Sequence, residues 1–192
     1  MGKLVYAINL TLDGCCDHSK LSSNADIHDY HAQLLRETDT LLYGRKTYEL
    51  MVPFWPDLAK SQSAPTKSFN DFALAFDSVN NIVVFSKSLV VPEGGKTRVV
   101  RSDLKQEIMR MKNEEGRNIL IGGVDVPSQL VQLDLIDEFH FVIQPIVVGE
   151  GRRLFDHLQL PRKAEFRLTA SKVFESGCVA LHYATSSVSA VH

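Results

Sequence analysis

Two short stretches combine residue types that suit an anion. In "TLLYGRKTYELM" a run fit for a buried strand gives way at Gly44 to Arg45, Lys46 and Thr47, and then to a helical pattern. In "ILIGGVDVPSQL" an apolar run meets Gly122, Gly123 and Val124 before a second helical pattern. The first N–H groups of a helix lack internal partners and its dipole places partial positive charge there, so a phosphate docks on main-chain donors. Glycine lets the backbone come close. Arg45 adds a planar guanidinium, Lys46 a mobile charge and Thr47 a hydroxyl one turn in. Cations at a helix start are disfavoured unless an anion arrives, which favours an anion seat over a pair of merely solvated residues. "FSKS" ends a third apolar run at Ser86 and Lys87, so the turns together suit an extended ligand with phosphates at more than one point.

Neither glycine turn matches the common nucleotide motifs. Asp39 stands where the ATPase phosphate loop needs its first glycine, and Arg45 follows Gly44 where that loop has lysine. In "GEGRRL", Leu154 takes the place of the last glycine of the dinucleotide fingerprint, which argues against a Rossmann domain.

The elements that position these turns are legible as alternating strands and helices. "KLVYAINLTLDG" reads as a first strand ending at the Asp13-Gly14 turn. A helix follows with an apolar stripe at Ile27, Tyr30, Leu34 and Leu35, capped by Asn24 or Asp26. The strand Thr40–Tyr43 leads to a short helix from Arg45 that Pro53 ends, and "PFWPDLAKSQSAPT" reads as the longest loop. "KSFNDFALAFDS" is a helix with Phe69, Phe72, Ala73 and Phe76 on one side, and "NIVVFS" is a strand covered on both faces. A brief strand lies near Arg98–Val100, and Ser102 caps a helix predicted to run to Glu115. The last third, "DEFHFVIQPIVVG", "KAEFRLTASKVF" and "GCVALHYAT", implies antiparallel strands added to a helix-covered sheet. The expected fold is α/β, a mixed, mostly parallel central sheet flanked by helices. Residues 1–185 form one domain and 186–192 a frayed tail.

At 192 residues, 44% hydrophobic and 23% charged, the chain is composed like a globular protein rather than a fibre or a disordered segment. A net charge of −2 gives no global attraction to nucleic acid or an acidic membrane. Cys15, Cys16 and Cys178 do not form a disulfide framework, and the start lacks a signal peptide's cleavage region, so the expected compartment is the cytoplasm. No metal-ligand spacing stands out, and the zinc deaminase signature is absent.

The order of "TLDG", "GRKTYE", "NIVVFSKS", "IGGVDVPSQLV" and "IDEFHFVIQPIVVGEGRRLF" resembles the dihydrofolate reductase superfamily. The pattern P-x-x-x-G-x-G-x-x-L-F, Pro145 to Phe155, resembles the branch of the C-terminal reductase domain of the bacterial riboflavin biosynthesis enzyme. The resemblance covers nearly the whole chain. It implies NADPH as hydride donor, with Gly44, Arg45, Lys46 and Thr47 at its phosphates and Arg45 at the adenosine 2′-phosphate. It puts Ser86 and Lys87 near the adenosine end, and Gly122, Gly123 and Val124 by the pyrophosphate and nicotinamide. It implies a small heterocyclic or carbonyl substrate, pteridine- or aminopyrimidine-like, and a homodimer, with "FHFVIQPIVV" long enough for core and intersubunit contact.

Departures from the family pattern are equally specific. The region that carries Leu-Pro-Trp and a pterin-contacting acid in true dihydrofolate reductases reads "LSSNADIHDY" here. Asp13, Asp26 and Asp29 are the candidate polar groups at the substrate, although acids early in a helix also stabilise its dipole. His28 is of a type to relay a proton. Cys15 follows the "LDG" turn where riboflavin-type relatives tend to place a basic residue that meets a phosphosugar. Phe54 and Trp55 suit either an apolar lid or the core. The alternative function is a non-catalytic nucleotide-binding module that keeps the phosphate seats alone.

Overall fold

The computed structural model describes residues 2–185 except Glu93, Glu115, Arg117 and Arg162; the expected tail 186–192 lies outside the described residues. The strands are β1 (Leu4–Thr11), β2 (Thr38–Gly44), β3 (Asn81–Phe85), β4 (Thr97–Val100), β5 (Asn118–Ile121), β6 (Glu138–Gln144), β7 (Phe166–Val173) and β8 (Val179–Thr185). The helices are α1 (Ala25–Arg36), α2 (Arg45–Met51), α3 (Phe54–Ser61), α4 (Lys67–Asp77), α5 (Leu104–Asn113) and α6 (Asp125–Gln132). The strands form one sheet in the order β4-β3-β2-β5-β1-β6-β8-β7. Every pairing is parallel except those of β8 with β6 and with β7.

Side-chain alternation along the strands divides the core in two. Leu4, Tyr6, Leu42, Val83, Ile121 and Phe139 pack on one face with Ile108 of α5 and Leu130 of α6. Val5, Leu41, Tyr43, Ile82 and Val84 pack on the other with Leu35 of α1 and Phe72 and Phe76 of α4. Helices on both faces explain why β2 and β3 read as unbroken apolar runs.

Asn24 is the cap of α1, accepting from the Ile27 N–H. α5 is capped by Asp103 rather than Ser102 and ends at Asn113; its expected end at Glu115 lies outside the described residues. The expected long loop after Pro53 is instead largely helix α3. Pro53 stands at its N-cap and Pro56 in its first turn, where a missing N–H costs no intrahelical bond. Proline there reads as loop punctuation in the sequence but acts as a helix start. Trp55 is 9% exposed and Phe54 51%, so the core reading holds for Trp55. β6 lies between β1 and β8 with both edges paired, so its main chain has no edge to offer a second subunit.

Buried Gln144 at the end of β6 accepts from the Ser22 N–H at 2.8 Å and donates to the Ser22 carbonyl at 2.9 Å. This bidentate tie fixes the segment that leads into α1.

Candidate functional site

The carboxyl ends of β2, β5 and β1 lie side by side, the place where open parallel sheets leave a crevice. A cavity of about 980 Å³ opens there. One end is lined by Gly44, Arg45, Lys46, Thr47, Gly122, Gly123 and Val124. All seven are expected phosphate-binding residues, and the pairing of β2 with β5 brings their two turns together.

The turns interlock by contact. Gly123 has φ 91°, and a Cβ there would lie 2.4 Å from Thr47 Oγ1. A Cβ on Gly44 would meet Val126 Cγ2 at 3.2 Å. The Gly123 carbonyl accepts from the Tyr6 hydroxyl at 2.8 Å, which ties the turn to β1. The helix starts differ in a way that bears on ligands. α1, α4 and α5 each carry a side-chain cap, from Asn24, Thr66 and Asp103. α2 and α6, which open on the cavity, have no side-chain cap, and neither has α3, whose N-cap is Pro53. Their first N–H groups keep the donor capacity that caps consume elsewhere.

Two arginines of this end are paired. Arg45 Nη1 lies 3.0 Å from Glu49, one turn on. Arg152 donates to Asp125 at 2.5 Å across the rim, and this guanidinium holds the Asp125 carboxyl below its usual range. Ser86 and Lys87 do not line the cavity, although the neighbouring Phe85 does. The Ser86 hydroxyl accepts from the N–H groups of Ser88 and Leu89, closing a local turn.

The three candidate carboxylates also lie off the cavity. Asp13 accepts from the Thr11 hydroxyl at 2.6 Å and from the Val148 and Gly149 N–H groups, and it pairs with Arg153 at 3.3 Å. The Thr11 hydroxyl and those two backbone donors bring its pKa down to about 2. It clamps the "LDG" turn to the "GEGRR" segment, so two motifs far apart in sequence form one structural unit. Cys15 is fully buried in that unit, and a Cβ on Gly151 would lie 2.9 Å from its Sγ. Asp26 accepts from the Ser176 N–H at 3.0 Å and anchors the turn between β7 and β8. Asp29 is exposed.

The opposite end of the cavity is built from side chains of α1, α3 and α4. Ile27, His28, His31 and Leu35 face it from α1, with Trp55 and Phe72 beyond. His28 Nδ1 bonds the Asn24 carbonyl at 2.8 Å, and its ring packs on Phe69 with centroids 4.3 Å apart. Burial lowers its pKa. His31 Nε2 bonds Asn9 Oδ1 at 2.8 Å, and burial, with His140 and His28 nearby, brings its pKa down to about 4. Each imidazole is therefore neutral near pH 7, donates its one hydrogen to a fixed acceptor and keeps the second nitrogen as an acceptor. Sequence reasoning missed His31, Asn9 and Arg152. The spacing of residues 27, 28, 31 and 35 is one helical face and was the available signal for His31.

The RibD C-terminal domain family matches residues 3–180. The uncharacterized protein YyaP of Bacillus subtilis is 24% identical, with 94% of each chain covered. Among solved structures, a protein of Shewanella sp. PV-4 assigned to riboflavin biosynthesis superposes with TM-score 0.70 at 21% identity, over 97% of this chain and 99% of that one. A dihydrofolate reductase of Enterococcus faecalis, complexed with NADP(H), superposes with TM-score 0.60 at 16% identity, over 96% and 97%. At these identities the superpositions establish the fold, and the family match establishes kinship: the chain belongs to the RibD C-terminal domain family and has a dihydrofolate reductase-like fold.

Proposed function

We propose that the protein is an NADPH-dependent reductase that transfers hydride to a small heterocyclic substrate of aminopyrimidine or pteridine type. The observation that carries this reading is the pair of uncapped helix starts, α2 and α6, side by side on a cavity large enough for a dinucleotide and a second ring. The E. faecalis structural neighbour is a reductase complexed with NADP(H), and the family match agrees with that class.

The residues fit the cofactor. Gly123 leaves no room for a side chain beside Thr47, so main chain and hydroxyl meet the ligand together. Arg45 and Lys46 supply positive charge for phosphates, and Arg45 has the exposure to exchange Glu49 for a 2′-phosphate. A reduced nicotinamide, when bound, supplies the hydride. The chain orients the acceptor and excludes water. His28 and His31 accept hydrogen bonds through their free ring nitrogens, which selects a substrate that donates from amino or imide N–H groups. Trp55 and Phe72 offer flat apolar surface to its ring. Among the described residues the only carboxylates lining the cavity are Glu49 and Asp125, both paired with arginines.

That lack of a free carboxylate favours, as a second reading, a nucleotide-binding module without turnover. Trp55, the one tryptophan of the chain, lies in the cavity wall and reports on both. NADPH is expected to quench its fluorescence more strongly than equal NADH, and an aminopyrimidine or dihydropteridine panel to oxidise NADPH. Quenching without oxidation across the panel selects the binding module, and no quenching by either nucleotide overturns both. The reading includes a cytoplasmic homodimer, checked by sedimentation. Among the described residues no helix is long and apolar enough to cross a membrane.

A further inference from the structure

Helix α1 has a second cavity on its other side, of about 270 Å³, bordered by Tyr30, Gln33 and Leu34. Its lining includes Glu138 and His140 of β6 and His182 of β8. Residues two apart on a strand share a face, and His140 stands directly opposite His182 in the antiparallel register. The pleat therefore gathers three ligand-type side chains that no sequence spacing announces. The two imidazoles stack with centroids 4.0 Å apart and planes 24° from parallel.

One donor atom from each of the three lies within 4.8 Å of the others. His182 Nε2 is buried and makes no hydrogen bond. It lies 3.3 Å from Glu138 Oε2 all the same. That separation matches the edge of a tetrahedron with metal–ligand bonds of about 2.0–2.1 Å, for which the edge is about 3.3 Å. A buried nitrogen without a hydrogen bond calls for an explanation, and an ion held by both His182 and Glu138 is one.

We propose that Glu138, His140 and His182 bind a zinc-class divalent cation, with a fourth coordination position open to the cavity behind α1. Two imidazoles and one carboxylate form a mixed nitrogen and oxygen set, which selects zinc-like ions over magnesium or calcium, whose preferred ligands are all oxygen. The outer partners are in place. Lys3 donates to Glu138 Oε1 at 2.5 Å and leaves Oε2 for the ion, and the Tyr30 hydroxyl lies 2.6 Å from His140 Nδ1 and orients that ring. The site is separated from the main cavity by α1 and is independent of the nucleotide reading.

Calorimetric titration of the chelator-treated full chain with zinc chloride tests the proposal, with cobalt(II) absorption as the spectroscopic probe. Wild type is expected to take up zinc with a tetrahedral cobalt spectrum free of sulfur charge transfer. The double variant H140A/H182A loses this binding, and Glu138→Gln, which removes the anionic ligand, weakens it by at least about tenfold, the scale on which loss of an outer partner alone acts. Circular dichroism shows whether the double variant folds, and if it does not, His182→Gln alone must show the same loss. Undiminished binding in folded His-site variants overturns the proposal. So does the absence of zinc uptake by wild type, or a cobalt spectrum with sulfur bands that Cys16→Ser abolishes.

Discussion

The two ends of the main cavity are built in different ways. The glycine-turn end is made by local sequence: strand, turn and helix follow one another, and contiguous residues Gly44–Thr47 and Gly122–Val124 carry it. The histidine end is assembled from α1, α3 and α4, three separate segments whose side chains meet in space rather than in sequence. One end depends on backbone shape, the other on the packing of side chains from separate elements.

Substitutions break or sharpen that contrast. Trp55→Ala has the largest expected effect, because a buried ring packed against Phe69, Phe72 and His28 is lost. The loss is about 3–5 kcal/mol in denaturant unfolding, with nucleotide affinity of the folded fraction, followed by calorimetry, unchanged. Gly123→Ala is next: a positive φ and a 2.4 Å contact with Thr47 cost about 2–3 kcal/mol, and here nucleotide binding falls too. Adding Thr47→Ala recovers the contact part in a thermal melt and leaves the φ part. If the double variant is no more stable than Gly123→Ala, the interlocked turns do not act as described.

His31 gives a pH signature. Its folded pKa of about 4 lies below the 6.5 of the free side chain, so between those values the unfolded chain binds more protons. Stability therefore falls as pH drops from 6.5 to 4. His31→Gln is expected to flatten that fall by on the order of 1–2 kcal/mol, the remainder belonging to other buried histidines such as His140. Equal slopes for the two proteins would refute the burial argument. Arg45→Ala has the smallest structural effect, under about 0.5 kcal/mol for an exposed pair one turn apart. Its expected signature is a roughly tenfold loss of NADPH affinity with NADH unaffected, which is about 1.4 kcal/mol of one charge-assisted contact.

What the sequence disclosed follows the same division. The sheet, its parallel half and the two glycine turns were legible because apolar runs and turn residues state them locally. The carboxylates were legible as residues but not in their surroundings: Asp13 and Asp26 read as candidate substrate contacts, and in the fold both accept from backbone donors of distant segments and neither lines the main cavity. Nothing near Asp13 in sequence indicates that Gly149 will be its partner. Helix α3 was hidden by two prolines, whose turn signal and helix-start signal are the same residue type. The pairing of Ser86 with Ser88 and Leu89 likewise lies in a local turn that reads the same whether or not a ligand is near.

The clamp through Asp13 also orders events during synthesis. Its carboxylate waits for a main-chain donor 136 residues downstream, and Arg152 can reach across the rim to Asp125 only once that segment has docked. Contacts of such long separation form late, after the entropy of closing the intervening chain has been overcome. A ribosome-bound chain that has already exposed both glycine turns thus still lacks one wall of the rim, which is supplied only when the final third of the polypeptide emerges.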